Sequence, residues 1–309
     1  MQCSQCHANA VLKLPNSAVS LCRKHFNIYF EKKVRKTIRV YHMIGKQDKV
    51  GVAISGGKDS MTLLYVLNNL FKRTKVKLIA LAIDEGIKGY RDPEFRFVNE
   101  FCKKLDIELK TYSYKKEFGK TLDEITEKDK ETIPCTYCGV FRRKILNEKA
   151  LELGVNKLAT GHNLDDESQA ILMNQFRKNV RASAIMGPVT GVVDDPKFVR
   201  RIKPLYFLTE KEVATFAFLN GILDKFVECP NAELGYRASV RDMLNDFDER
   251  YPGTKYNIVS SFLAMLPALK SQQPKEKIKS CSLCGAASSK DVCQACVLLN
   301  RVNTFFVHH

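Results

Sequence analysis

The cysteines of this chain are the residues most able to do chemistry, because ten of the eleven stand in three groups. Two groups have the spacing of closed zinc sites with four protein ligands. They consist of Cys3, Cys6, Cys22 and His25 near one end and of Cys281, Cys284, Cys293 and Cys296 near the other. The third group is Cys135 and Cys138, with distant Cys229 as its candidate third member, and it has no obvious fourth ligand. A metal centre that lacks one protein ligand can bind another molecule, so chemistry is expected there.

The middle group taken alone leaves several chemistries open. Cys135 and Cys138 form a CxxC pair, which could be a redox pair, half of a zinc site or part of an iron–sulfur site. The cationic Arg142 that follows favours thiolates. Cys229 has loop-like surroundings, whereas Cys102 lies in an amphipathic helical pattern and is expected to be a packed thiol. Three thiolates fit a [4Fe–4S] cluster with one open iron, and they would also suit a catalytic zinc ion.

A glycine-containing loop stands between a predicted strand and a predicted helix. It reads Ser55-Gly56-Gly57-Lys58-Asp59-Ser60. The two glycines permit a tight turn and close approach of the backbone to a phosphate. The start of the helix offers free N–H groups, the lysine adds positive charge and the serines add hydroxyl donors. The spacing differs from the GxxxxGK[ST] pattern of the P-loop NTPases.

Acidic residues stand at the ends of two other predicted strands. Asp84 closes the second strand, where doubly wound folds bind nucleotides, although a turn or helix-cap role is also open. The segment 161–167, GHNLDDE, follows the fourth strand. Its carboxylates could hold Mg²⁺ on ATP or orient a base that is being activated, and helix capping is the structural alternative for Asp165. Basic residues suited to RNA phosphates follow at Arg177, Lys178, Arg181, Arg200 and Arg201.

Strand and helix patterns alternate from Lys49 onward, which predicts an α/β fold with a doubly wound parallel sheet. Four strands are predicted, and a helix is predicted from Arg142 to Leu153. The expected organisation is an N-terminal zinc finger at 1–26, a basic linking helix at 27–45, a catalytic domain at 46–205, a helical extension that carries Cys229 at 206–270, and a C-terminal zinc finger at 271–309.

The charge of the chain points to a polyanionic partner. There are 50 Lys and Arg against 34 Asp and Glu, which gives a formal net charge of +16. Metal-bound thiolates would lower this to about +12, which still favours nucleic acid; the plain alternative is solubility. No apolar run approaches the roughly 20 residues that span a bilayer, and the N-terminus lacks a signal-peptide pattern. A cytoplasmic location with reduced thiols and no membrane partner is therefore expected.

Taken together, the motifs resemble the TtuA/NcsA family of tRNA 2-thiouridine synthetases, which belongs to the PP-loop ATP pyrophosphatases, over essentially the whole chain. SGGKDS matches the PP-loop, and PCxxC, GHNxDDE, ECP and the terminal zinc knuckles complete the combination. The resemblance implies that Cys135, Cys138 and Cys229 bind a [4Fe–4S] cluster and that the terminal groups bind two Zn²⁺. It also implies a set of residues that contact ATP: Ala53, Ile54, Ser55, Gly56, Gly57, Lys58, Asp59, Ser60, Asp84, Arg142, Gly161 and Asp166.

The activity implied by the resemblance is thiolation of tRNA. ATP with Mg²⁺ would adenylate O2 of the target uridine, and a cluster-held hydrosulfide would displace AMP from C2. The residues expected to act in catalysis are Lys58, Asp59, Arg142 and Asp166, together with the three central cysteines. Family members often have lysine where Arg142 stands, so that position departs from the family pattern. The implied partners are tRNA, a sulfur donor that is sulfide or a ubiquitin-like thiocarboxylate protein, and a second copy in a homodimer.

Two alternatives stay open. Cys138 or Cys229 could carry a persulfide without any cluster, or the chain could be a non-catalytic zinc-ribbon RNA-binding protein. The family splits between uridines 34 and 54 of tRNA. The 17 Asn and 8 Gln of this chain argue mildly against extreme heat and favour position 34.

Overall fold

The computed structural model describes residues 1–14, 17–192, 195–222, 229–231, 235–274 and 278–307. The chain begins with two short antiparallel strands, β1 (Leu12–Lys13) and β2 (Ser20–Leu21). Helix α1 (Arg23–Val40) follows at once and buries Phe26, Phe30 and Val34 at helical spacing. The helix predicted at 27–45 therefore begins four residues earlier, and its first turn carries His25.

The centre of the fold is a sheet of five strands: β3 (Lys49–Ile54), β4 (Lys77–Asp84), β5 (Glu108–Ser113), β6 (Lys157–Ala159) and β7 (Arg200–Ile202). The spatial order is β5-β4-β3-β6-β7, and every pairing is parallel. The predicted α/β fold with a doubly wound parallel sheet is confirmed. The short strand β7 was not among the predicted strands.

The strand order reverses between β3 and β6, which are neighbours in the middle of the sheet. From β3 the chain runs outward to β4 and β5, and it then returns to the other side of β3 for β6 and β7. In doubly wound folds, this reversal opens a crevice at the carboxyl ends of the strands, where ligands bind. Every loop discussed below leaves the sheet at that edge.

Helices cover both faces of the sheet. They are α2 (Lys58–Phe71), α3 (Arg91–Lys104), α4 (Tyr114–Phe118), α5 (Leu122–Lys128), α6 (Pro134–Glu152), α7 (Leu164–Phe176), α8 (Val180–Ala184) and α9 (Glu210–Leu219). Strand β4 shows the two-sided burial, since Ala80 packs in one hydrophobic core with α1 and α2, while Ile79 and Leu81 pack in the other with α6. Alternate residues of a strand point to opposite faces, so a continuous apolar run can serve two cores.

After α9, the part of the chain that the structure describes is mainly helical. Helices α10 (Tyr236–Arg250) and α11 (Thr254–Ser271) pack against α7. Strands β8 (Lys279–Ser280) and β9 (Ala287–Ser288) and helix α12 (Gln294–Val307) follow. Among the described residues, no helix combines the length and the apolar character needed to cross a membrane.

Helix α6 differs from the prediction in a way that affects the site. It begins at Pro134, eight residues before the predicted start at Arg142. Proline suits the first position of a helix, where its missing N–H is not needed and its fixed φ is already helical. Cys135 and Cys138 therefore lie in the opening turns of a helix and not in a loop.

Candidate active site

The glycine loop joins β3 to α2, and its own hydrogen bonds hold it in place. Gly56 has a φ of 86°, which favours glycine, and Gly57 is the N-cap residue of α2. The Ser60 hydroxyl accepts a hydrogen bond from the Ser55 N–H at 3.1 Å and donates one to the Gly57 carbonyl at 3.0 Å. The N–H groups in the first turn of α2 therefore face the crevice at a positive helix end, which suits an anion.

Lys58 and Asp59, at the start of α2, are charged and close to each other. The Lys58 Nζ lies 2.7 Å from Glu210 and 3.3 Å from Asp59. Burial alone would lower the pKa of Lys58, but the charges of Asp59 and Glu210 outweigh it and raise the pKa, so the amine stays charged. Burial, together with the charge of Asp166, raises the pKa of Asp59 to about 6 despite the opposing effect of Lys58.

Gly161, just after β6, lies directly against the loop. A Cβ atom at this position would stand 2.9 Å from the carbonyl carbon of Asp59 and 2.9 Å from the N of Ser60. Only a residue without a side chain allows this approach, so Gly161 brings the end of β6 against the first turn of α2.

The acidic segment after β6 divides into residues with different partners. Asn163 caps α7, and Asp166 closes the capping box by accepting from the Asn163 N–H at 3.2 Å. Asp165, for which capping was the alternative, instead accepts from the Glu210 N–H and pairs with the buried Lys255. It therefore ties α7 to α9 and α11.

Asp166 faces the crevice and lies 3.3 Å from Arg237. Burial raises the pKa of Asp166, and the charge of Arg237 opposes this shift. The neighbouring His162 donates to or accepts from the Thr160 hydroxyl at 2.9 Å. Burial, with the charges of Lys203 and Arg237, holds the pKa of His162 well below its usual range, so this ring is neutral.

Asp84 ends β4 at the same edge of the sheet, and its carboxylate accepts the N–H of Gly86 at 2.8 Å. The turn role considered for this residue is therefore present. The next residue, Glu85, is fully buried and accepts from Arg142 at 2.7 Å. Sequence reasoning missed Glu85, although it stands beside Asp84 at the end of an apolar run.

Arg142 connects this edge with the central cysteines. Besides Glu85, its guanidinium lies 3.1 Å from the Cys138 Sγ. Burial would lower the pKa of Arg142, but the charges of Glu85 and Cys138 raise it, so the group is a permanent cation. Its Nε is buried and has no hydrogen-bond partner among the described residues. The side chain is therefore aimed into the site with one donor left over.

The three central thiols lie near one another. The Cys135 Sγ is 3.6 Å from the Asn231 carbonyl, two residues after Cys229. Burial raises the pKa of Cys135, and the neighbouring charges of Cys138 and Cys229 raise it further. Cys102 packs instead in the core on the other side of the sheet and is 1% exposed, as predicted, so it cannot be a fourth ligand.

The terminal groups have a tighter geometry. In each group, the four ligand atoms all lie within 4.8 Å of one another. The Sγ atoms of Cys6 and Cys22 are 3.6 Å apart, and those of Cys284 and Cys293 are 3.7 Å apart. Four sulfurs held about 2.3 Å from one tetrahedral zinc ion would be about 3.8 Å apart. Each of the two terminal groups therefore fits one metal ion of its own. Of the described residues, these are the groups that meet this spacing, and the central thiols are spread more widely.

The comparisons with known proteins agree with this arrangement. The model of the PP-loop domain matches residues 27–245. The tRNA 2-thiolation protein NcsA of Haloferax volcanii is 37% identical, covering 98% of this chain and 99% of its own length. The chain belongs to the PP-loop family of tRNA 2-thiolation proteins.

Other relatives cover both branches of this family. The tRNA-5-methyluridine(54) 2-sulfurtransferase of Pyrococcus horikoshii is 34% identical over 96% of this chain and 93% of its own length. The solved structure of the U34-tRNA thiolase NcsA from Methanococcus maripaludis, with its [4Fe–4S] cluster, matches with a TM-score of 0.83 and 34% identity. It covers 97% of this chain and 96% of that one.

Proposed function

We propose that this chain is an ATP-dependent tRNA-uridine 2-sulfurtransferase. The observation that carries the proposal is that Arg142 contacts both Cys138 and the buried Glu85, next to Asp84. It therefore joins Cys138, one of the three central thiols, to the sheet edge that holds the glycine loop. A nucleotide site and a set of thiols within reach of each other suit a reaction that activates a carbonyl oxygen with ATP and replaces it with sulfur.

In this proposal, the loop binds the phosphates of ATP. The N–H groups at the start of α2 and the Lys58 ammonium take the negative charge, and the backbone at Ala53, Ile54 and Gly161 lines the nucleotide. Lys58 now pairs with Glu210, so phosphate must compete with that carboxylate. Asp59 and Asp166 are close enough for their charges to interact, and they are the candidates to hold Mg²⁺.

The thiols of Cys135, Cys138 and Cys229 are the proposed ligands of a [4Fe–4S] cluster. The donor set fits because Cys138 and Cys229 are near enough to Cys135 for their charges to affect it, and because the three thiols are spread more widely than a single-ion site. Of the other cysteines, Cys102 packs in the core and the rest form the two terminal groups. When bound, such a cluster supplies one iron without a protein ligand, to which a sulfur donor can bind. Arg142, which contacts both Cys138 and Glu85, would supply positive charge beside the cluster ligands. The two terminal groups would hold structural Zn²⁺.

The finer parts of the proposal rest on the relatives. Position 34 of tRNA is the favoured target, since the relatives include a U34 thiolase and a position-54 enzyme and the composition of this chain favours the former. A cytoplasmic location is supported by the Drosophila melanogaster relative named cytoplasmic tRNA 2-thiolation protein 1, which is 36% identical. A sulfide or thiocarboxylate donor, a homodimer and the five-part domain division belong to the same proposal.

The proposal is tested with Cys229→Ala, prepared without oxygen and compared with the matched control Cys102→Ala. We expect the first variant to lose thiolation of tRNA, measured as 2-thiouridine by mass spectrometry, while ATP binding persists. The control should keep both. Full thiolation by Cys229→Ala would contradict the assignment of the thiols.

Metal content separates the proposal from its alternatives. About four irons and four sulfides per chain in the wild type support the cluster, and a colourless, active protein would favour a persulfide on cysteine. Absence of tRNA-dependent AMP release would favour a non-catalytic RNA-binding protein. Mapping the thiolated nucleoside in tRNA from a deletion strain decides between positions 34 and 54.

A further inference from the structure

An exposed tyrosine and an exposed arginine are stacked on each other beside the crevice. The guanidinium carbon of Arg177 lies 4.4 Å from the centroid of the Tyr236 ring. Arg177 follows the last turn of α7, and Tyr236 opens α10. Tyr236 is 39% exposed to solvent, so the stacked pair is not part of the hydrophobic core.

The neighbouring residue places the pair in relation to the proposed active site. The guanidinium of Arg237, on α10, donates to two side chains of α7: the Asp166 carboxylate at 3.3 Å and the Gln169 amide oxygen at 3.4 Å. Asp166 and Arg177 are eleven residues apart on the helix, which corresponds to about 16 Å. The Arg177 end of the stacked pair is therefore set apart from Asp166 along α7, while Tyr236 adjoins Arg237, which contacts Asp166. This position suits a base next to the reacting one.

The chemistry of the pair fits a nucleobase. RNA is recognised chiefly through unstacked bases that lie on aromatic rings or on arginine planes. A tyrosine ring can take a base on its open face, and an arginine already stacked on the ring adds positive charge for the adjoining phosphate. Lys178, next to Arg177 in the chain, adds to the positive charge, whereas Arg241 is paired with the neighbouring Asp242 at 3.2 Å.

We propose that Tyr236 and Arg177 form a stacking platform for a tRNA base that flanks the target uridine. The inference rests on the proposed function, because it takes tRNA as the substrate. It assigns the pair to binding and orientation of the RNA and gives it no part in the reaction with ATP.

The platform is tested by tRNA binding to the full-length holoprotein. Stacking of one base contributes about 1–3 kcal/mol, so Tyr236→Ala should raise the Kd for tRNA about 5- to 150-fold. Tyr236→Phe keeps the ring and should stay within about twofold of the wild type. Tyr251→Ala is the matched control, because this residue follows the other end of α10, is 59% exposed and lies beside Phe247 rather than beside the crevice.

A second measurement separates stacking from a merely structural role. Anticodon stem-loops with single abasic residues are titrated against wild type and Tyr236→Ala. If the platform holds one base, removal of that base weakens wild-type binding but has little further effect on the variant. Additive losses at every abasic position, or wild-type tRNA affinity in Tyr236→Ala, would overturn the inference. Neither outcome affects the proposed function, which instead fails if the wild type itself does not thiolate tRNA.

Discussion

Gly161→Ala tests the close approach between β6 and the glycine loop. The added methyl group would stand 2.9 Å from the carbonyl carbon of Asp59, 2.9 Å from the N of Ser60 and 3.1 Å from the carbonyl oxygen of Asp59. All three are backbone atoms, so no flexible side chain can move aside. Ordinary carbon contacts begin at about 3.5 Å, and the loop must therefore shift by roughly half an ångström.

The magnitude follows from the cost of overpacking, which is about 1–3 kcal/mol for an added methyl group in a tight site. If the loop moves to relieve the contact, that energy is lost from the binding of ATP in the transition state. The expected loss in kcat/KM for ATP is then about 5- to 150-fold. If the loop holds its place, the same energy lowers the stability of the fold.

The assay is tRNA-dependent AMP formation over a range of ATP concentrations, with thermal unfolding measured in parallel. Gly45→Ala is the control, because the added methyl group would stand at an ordinary 3.5 Å from its nearest neighbour, the Asp48 carboxylate. The control should match the wild type in both measurements. Wild-type kinetics together with wild-type Tm in Gly161→Ala would refute the reasoning.

Three further predictions follow from the site. The folded pKa of Asp59 is raised from 3.8 to about 6, so the wild type loses stability from this group as pH rises between those values. Asp59→Asn should remove this pH-dependent loss of stability, so its Tm should exceed that of the wild type more at pH 7.5 than at pH 4.5, while its activity falls. An equal shift in Tm at both pH values would contradict the assignment to Asp59. Cys6→Ala should lower the zinc content from two ions to one per chain, by elemental analysis, whereas Cys102→Ala should keep two. Arg142→Met removes the cationic partner of the fully buried Glu85 and should lower the unfolding free energy by about 3 kcal/mol, largely restored by adding Glu85→Gln in a double-mutant cycle.

The parallel sheet could be predicted because its main strands are apolar runs separated by helical patterns, as in β3 and β4. Strand β7 could not, since it has three residues and two of them are arginines. Its pairing with β6 depends on contacts about forty residues apart in the chain. The start of α6 was missed for a local reason, because Pro134 and the polar residues around it are equally typical of a loop.

The parts of the candidate site that could be predicted are those whose functional residues stand close together in the sequence, as in the glycine loop and the CxxC pairs. The residues that hold those motifs in position were not. Glu210 meets Lys58 from 152 residues away, and Lys255 meets Asp165 from 90 residues away. Neither carries a local pattern that distinguishes it from an ordinary surface charge, so only the folded chain reveals the pairings.

The position of Cys135, Cys138 and Arg142 on one helix limits how this chain can vary in length. Each residue turns an α-helix by about 100°, and four residues bring Arg142 back beneath Cys138. One inserted residue between them would turn the guanidinium away from both the thiol and Glu85. Cys229 comes 91 residues after Cys138 and lies outside α6, so its place in the site does not depend on the pitch of that helix. Among related sequences, insertions and deletions should therefore be absent from the first part of α6 and tolerated between the end of α6 and Cys229.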